Sequence, residues 1–270
     1  MSELCGAWRE HMKEIKRYLD NRDGVYSFYF EDLKSGYTYG LNENLQMPAA
    51  GCIKVPIAMT LMKEIENNRL NIDDKVSITK DDMVSGKYSI IHEFSEKDYT
   101  IKELLIAMLI QSDNTAGCKI INLLGMDRIN ELIKDMKLYS TEVKKYPSEN
   151  RVDDDKENIT TSRDLSKCFK ILSNKSYLNE EHSNFIIEIL KKNQVNTGIP
   201  FYLPQELQSV TANKIGTLKC IENDTALLNL PKGNFVFTVM SNNLPSNVYG
   251  LTTISRIGKM MFDMVDKDWN

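Results

Sequence analysis

The stretch Met47-Pro48-Ala49-Ala50-Gly51-Cys52-Ile53-Lys54-Val55-Pro56-Ile57-Ala58-Met59 carries a single charged side chain, Lys54, in an otherwise uncharged and mostly apolar run. A lysine flanked on both sides by core-type residues reads as a placed residue rather than a solvated one, because ammonium groups are seldom buried without a partner. From Cys52 to about Asn67 apolar residues recur every three or four positions, which predicts a helix that Lys54 opens. Gly51, three residues before Lys54, shares its helix face. Cys52, two residues before it, is directed about 100° away around the helix and reads as a small core residue.

Outward from this stretch the chain alternates clear element types. Trp8, Met12, Ile15 and Leu19 predict an opening amphipathic helix that stops at Asp20-Asn21-Arg22-Asp23-Gly24. Tyr26, Phe28 and Phe30 alternate as in a strand, Lys34-Ser35-Gly36 supplies a turn, and Tyr37-Thr38-Tyr39-Gly40-Leu41 returns as a hairpin. Helical periodicity runs from Thr100 through Leu124 and from Met126 to about Leu138, with Thr100 and Glu103 spaced as a capping box. The segment from Tyr139 to Ile159 is polar and aperiodic, long enough to suggest a functional loop. Helices follow at about Ser162 to Leu172 and Asn179 to Lys192, then strand-like runs around residues 209–217, 224–230 and 235–243. A final amphipathic helix carries Ile254, Ile257, Met260, Met261, Met264 and Val265. The expected fold class is α/β of the α+β kind, an antiparallel sheet assembled from both chain ends and flanked by helices, with a central all-α region. A single domain over 1–270 is expected, its α/β part near 1–50 and 195–270 and its helical part near 51–194.

Two further motifs accompany Gly51-Cys52-Ile53-Lys54. Ser112-Asp113-Asn114 lies 58 residues beyond Lys54 between two helices, and Lys214-Ile215-Gly216 lies 102 residues after Ser112 on a C-terminal strand. In order, spacing and local structure the three are similar to the SxxK, SDN and KTG elements of the class A β-lactamases and penicillin-binding proteins. That resemblance runs over essentially the whole chain and implies the β-lactamase/transpeptidase-like fold. It also implies roles. Gly51 stands at the nucleophile position, where the family has serine, and Lys54 at the position that activates it. Ser112 would relay a proton to the leaving nitrogen, and Asn114 would hold the substrate's side-chain amide. Lys214 would line the cleft with Gly216 and Thr217 and attract the substrate carboxylate. Aligning the long loop on Thr160-Thr161 puts Tyr146 at the deacylation-base position, where the family has glutamate, and Asn150 at the loop asparagine.

The departures are several. Gly51 has no side-chain oxygen, Tyr146 is not a carboxylate, and Ile215 lacks the hydroxyl of KTG. Glu149 sits three residues past the base position and is a poor substitute. Lys144 and Ile159 replace the family's loop-closing arginine and aspartate, so the loop is expected to have lost its ionic lock and gained mobility.

The rest of the chain bounds the partners. With 34 Lys plus Arg against 38 Asp plus Glu, a net charge of -4 sets up no global basic field, so neither nucleic acid nor a membrane surface is an expected partner. Five cysteines without CxxC pairing suit reduced thiols, and three histidines at no ligand spacing to a cysteine leave no expected metal or other cofactor. The charged first twenty residues lack an apolar core of a signal, so a cytoplasmic address is expected, or secretion if a signal once preceded them. The expected partner is a small acyl-amide or β-lactam-like ligand, bound by a monomer.

Four functional readings remain open from sequence. The first is a β-lactamase-like protein that has lost standard hydrolysis or been repurposed. The second is a serine-to-glycine form of a penicillin-binding-protein-like or esterase-like hydrolase. The third keeps catalysis but moves it to Ser112, with Lys54 or Lys214 as base. The fourth is a non-catalytic binding module.

Overall fold

The computed structural model describes residues 2–86, 88–147 and 157–268, with side chains from residue 8 onward except those of residues 9 and 268. The chain opens with helix α1 (Ser2–Asp20), whose Met12, Ile15 and Leu19 are buried as their spacing predicts. Strands β1 (Val25–Asp32) and β2 (Thr38–Leu41) form the expected hairpin, pairing Phe28 with Leu41 and Phe30 with Tyr39. The short strand β3 (Met47–Pro48) leads into a 3-10 turn over Ala50–Ile53 and helix α2 (Lys54–Glu66). Every residue of α2 from Lys54 to Met62 is buried, so this helix runs through the middle of the molecule. Pro56 is tolerated because the first helical turn has amide groups without intrahelical acceptors.

Strands β4 (Lys75–Ile78) and β5 (Lys97–Thr100) pair as a small hairpin-like sheet that hydrophobic periodicity did not disclose. Thr100 then caps helix α3 (Ile101–Ile110) through the predicted capping box with Glu103. Helix α4 (Asn114–Leu124) is capped by Asp113, whose carboxylate accepts from the Ala116 amide at 2.8 Å and the Ile91 amide at 2.9 Å. Helix α5 (Met126–Asp135) precedes the long loop, which ends at strand β6 (Ile159–Thr160), paired with β3. Helices α6 (Ser162–Asn174) and α7 (Glu180–Leu190) follow, capped by Thr161 and Asn179. After a 3-10 turn (Ile199–Tyr202) and the short helix α8 (Gln205–Gln208) come strands β7 (Thr211–Leu218), β8 (Ile221–Leu230) and β9 (Gly233–Asn242), then helix α9 (Asn247–Asp268).

The main sheet is antiparallel in the order β2-β1-β9-β8-β7, so the two chain ends build it together and β7 is an edge strand. One face buries Phe28, Phe30, Phe235, Phe237 and Val239 against Met12, Ile15, Ile254, Ile257 and Met261 of α1 and α9. The other lies under α6, where small hydroxyl residues allow close approach: Ser166 and Thr225 each meet the Thr238 hydroxyl at 2.7 Å. A second apolar cluster joins α2, α3, α4 and α7 in the helical region. The 3-10 turn at Gly51, the Ser112 junction and edge strand β7 converge at the seam between these two regions.

Candidate active site

At that seam lies a cleft of about 440 Å³ whose wall includes Gly51, Lys54, Ser112, Asn114 and Thr217. The three motifs, far apart in sequence, are therefore neighbours in space. Lys54 is the centre of the group. Its Nζ donates to the Ser112 carbonyl oxygen and to Asn114 Oδ1 at 2.8 Å, and lies 3.2 Å from Ser112 Oγ. Burial, reinforced by the nearby Lys214 charge and opposed by Asp113, brings its pKa down to about 7. Ser112 itself adopts the left-handed backbone, with φ 58°, a conformation uncommon for serine. Asp113 fixes that junction from behind as the α4 cap, and the Asn114 amide donates to the Tyr88 carbonyl at 2.8 Å.

Gly51 sits in the 3-10 turn directly against β7. A Cβ built there would stand 2.9 Å from the Ile215 carbonyl oxygen, 3.0 Å from Ser112 Oγ and 3.3 Å from Gly216 Cα. A Cβ on Gly216 would in turn meet the Gly51 and Cys52 backbone nitrogens at 2.8 and 2.9 Å. The two glycines thus allow strand and turn to approach more closely than two side chains permit. Cys52 points away from the cleft, as its helical position predicts. Its buried thiol donates to the Lys214 carbonyl at 3.1 Å, and burial raises its pKa, so it is no substitute nucleophile.

Lys214 departs from its expected place. It is fully buried, its Nζ donates to the Ile215 carbonyl at 3.1 Å, and it is absent from the cleft wall. It lies beneath the wall, on the strand face it shares with Gly216, which packs against the Gly51 turn. Burial lowers its pKa to about 8, against the opposing influence of Cys52 and Asp224. Asp224, on the neighbouring strand, accepts from the Ile199 amide at 2.7 Å and from Asn213, yet burial still raises its carboxyl to about 7. Gly216 is likewise a packing residue here. Thr217 does line the cleft, but its hydroxyl is already engaged, 2.8 Å from the carboxyl of buried Glu222, whose other oxygen accepts from Asn247 at 2.7 Å.

Tyr146 stands 41 % exposed and does not line the cleft; its neighbours Lys145 and Pro147 do. Asn150 and Glu149 lie outside the described residues. The arginine–aspartate lock is absent as expected, and other contacts stand at the loop neck. Asn158 Oδ1 accepts from the Lys144 amide at 2.7 Å and the Lys145 amide at 3.0 Å, while its Nδ2 donates to the Lys145 carbonyl at 3.2 Å. Lys145 also pairs with buried Glu157. An amide and a shifted ion pair thus close the neck where the family has arginine and aspartate. Glu157, Asn158, Lys145, Tyr88, Lys219 and Asn247 all line the cleft without having been singled out in the sequence. Among the described residues, no group of His, Cys, Asp and Glu side chains could hold a metal ion, and no helix is long and apolar enough to cross a membrane.

A family model described as the β-lactamase enzyme family matches residues 10–265. The chain is 25 % identical to β-lactamase VEB-1 of Pseudomonas aeruginosa over 224 residues, covering 74 % of this chain and 71 % of that protein. Among solved structures, a β-lactamase from Sphaerobacter thermophilus DSM 20745 superposes with a TM-score of 0.88 at 21 % identity, covering 96 % of this chain and 98 % of the other. PBP-A superposes with a TM-score of 0.85 at 21 % identity, covering 96 % of both chains, and a variant of it has been solved as an acyl-enzyme complex with penicillin G. The antiparallel sheet flanked by helices and the match along nearly the whole sequence agree: this chain belongs to the β-lactamase enzyme family.

Proposed function

We propose that this protein binds a small acyl-amide or β-lactam-like ligand in the cleft over Gly51 and does not turn it over by the serine chemistry standard for its family. The observation that carries this reading is the crowding at position 51. There is no nucleophilic oxygen, and the place of the missing Cβ is already approached to 2.9 Å by the Ile215 carbonyl and to 3.0 Å by Ser112 Oγ. Around it, Lys54, Ser112 and Asn114 still form one hydrogen-bonded group on the wall of a cleft large enough for a small ligand. Tyr146, exposed and outside the cleft, gives no base for deacylation.

Penicillin G is the probe for this reading. Calorimetry is expected to show saturable, reversible binding, while the absorbance of the four-membered ring stays constant over hours. Ring opening above the buffer rate, or no binding at millimolar concentration, overturns the proposal. The Gly51→Ser variant separates the remaining alternative, since a stable penicilloyl adduct on it would mark the chain as a serine-to-glycine form of an acylating hydrolase.

A further inference from the structure

We propose that Ser112, with Lys54 as its base, is itself the nucleophile of this cleft and takes the acyl group from a small acyclic ester. The proposal rests on the reading of the cleft as an acyl-ligand site but assigns to it a chemistry that the residue at position 51 cannot provide.

The hydrogen-bond inventory of Lys54 carries the argument. A neutral amine has two N–H groups and one lone pair. Two acceptors already lie in reach of Nζ, the Ser112 carbonyl oxygen and Asn114 Oδ1 at 2.8 Å, and these take both N–H groups. Ser112 Oγ at 3.2 Å is the third neighbour: the protonated amine donates to all three, and on losing a proton Lys54 keeps the two shorter contacts and turns its lone pair to Oγ, the arrangement of a hydroxyl and its general base. Burial draws the Lys54 pKa down to about 7, so the neutral amine is populated at neutral pH and dominates above it. Lys214, the other lysine close by, is bound to the Ile215 carbonyl and has no such contact with Ser112.

Position 51 fixes where the hydroxyl would act: Ser112 Oγ stands 3.0 Å from where a Cβ on Gly51 would be, beside the family's nucleophile position. The left-handed φ of 58° at Ser112, held by the Asp113 cap behind it, puts the Ser112 side chain on the cleft wall.

The step balances as follows. Lys54 Nζ takes the Ser112 Oγ proton as Oγ bonds to the ester carbonyl carbon; the carbon–oxygen bond to the alcohol breaks, and the proton on Lys54 passes to the departing oxygen or to solvent. Water then attacks the acyl carbon with Lys54 again accepting a proton; the bond from that carbon to Ser112 Oγ breaks, Lys54 returns the proton to Oγ, and the products are a carboxylic acid, the alcohol and the free serine. A β-lactam is a poorer substrate for this arrangement. Its departing ring nitrogen needs a proton from a second group, and Ser112, the residue the family uses for that, is here the nucleophile.

The experiment is incubation of the full chain with p-nitrophenyl acetate, acid quench and peptide mapping by mass spectrometry. An acetyl group on Ser112 is expected, formed at a rate that rises with pH through a midpoint near 7. Acetylation confined to other residues, or a Ser112 acetylation rate independent of pH between 6 and 9, overturns the proposal. Ser112→Gly removes the hydroxyl without backbone strain, because glycine is at home at this φ, and is expected to abolish the site-specific product while the far-ultraviolet spectrum is kept. Lys54→Met is expected to slow acetylation of Ser112 at least about a hundredfold. Penicillin G added as competitor keeps the two proposals apart. Acetyl-Ser112 without protection by penicillin removes the binding reading alone, whereas reversible penicillin binding without acetyl-Ser112 removes this one alone.

Discussion

Replacing Gly51 by alanine tests whether the close approach of β7 to the Gly51 turn is built into the fold. Two effects oppose each other. Position 51 does not have a left-handed φ, so alanine can adopt its backbone, and restricting the unfolded chain contributes about 0.4–1 kcal/mol in favour of the variant. Against this, the new methyl group would lie 2.9 Å from the Ile215 carbonyl oxygen and 3.0 Å from Ser112 Oγ, some tenths of an ångström inside ordinary contact. The Ser112 hydroxyl can rotate away. The carbonyl cannot, because it belongs to a strand held in register with β8 and accepts a hydrogen bond from Lys214 at 3.1 Å. Overpacking of this kind costs about 1–3 kcal/mol, so a net destabilisation of about 1–2 kcal/mol is expected. At roughly 2–4 °C per kcal/mol for a chain of this size, Tm should fall by about 2–8 °C. Gly216→Ala is expected to cost more, since its three close contacts, at 2.8, 2.9 and 3.0 Å, are all to backbone atoms of Gly51, Cys52 and Ala49. Thermal unfolding followed by circular dichroism, supported by guanidinium titration, measures both. A Gly51→Ala variant more stable than the parent, or a Gly216→Ala variant less affected than Gly51→Ala, refutes the reasoning.

Two further predictions concern the interior charges and the loop neck. An amine titrating at about 7 when folded and 10.5 when unfolded binds a proton only in the unfolded chain between those values, so Lys54 makes stability rise with pH across that window and Lys214 does the same from about 8. Asp224, at about 7 folded and 3.8 unfolded, has the opposite sign, its contribution falling as pH rises between those values; stability from these three groups is therefore lowest near neutrality. In Lys54→Met the rise between pH 7.5 and 10 is expected to lose up to about 1.4 kcal/mol per pH unit relative to the parent in urea titrations, and an unchanged slope would show that Lys54 is charged in the folded state. Asn158→Ala removes three hydrogen bonds at the loop neck and is expected to cost at least about 1 kcal/mol and to speed proteolytic cleavage between residues 144 and 158; unchanged cleavage would show that the Lys145–Glu157 pair closes the neck by itself.

The elements with strong local chemistry were readable in the sequence. Tyr26, Phe28 and Phe30 announced β1, the Thr100–Glu103 box announced α3, and the polar junction at Ser112 fell between two helices as expected. What escaped were features defined by partners rather than by pattern. Lys75–Ile78 and Lys97–Thr100 are too short and too polar to show alternation, and become strands only by pairing across the segment between them. Asn158 closes the loop through backbone groups of Lys144 and Lys145, which no spacing rule reveals. Glu222 was within reach. The Lys219-Cys220 turn between β7 and β8 sets Thr217 directly opposite Glu222, so a hairpin reading would have placed a carboxyl beside the Thr217 hydroxyl.

Lys214 shows the same limit from the other direction. On the strand it is a motif lysine, and its side chain lies under the cleft wall on the strand face it shares with Gly216, the face packed against the Gly51 turn. That contact also links the departures at 51 and 215. With Ile215 in place of a hydroxyl and the Thr217 hydroxyl held by Glu222, this edge of β7 offers a ligand carboxylate neither of the two side-chain hydroxyls the motif would present. The polar groups of the cleft include Lys54, Ser112 and Asn114 on the helical side and the Lys145–Glu157 pair at the loop neck. Holding an amine such as Lys54 in the interior lowers stability near neutral pH, and a methionine there would avoid that cost. An interior amine set beside a strained serine, on the open wall of a cleft, makes chemical sense where its lone pair has work to do.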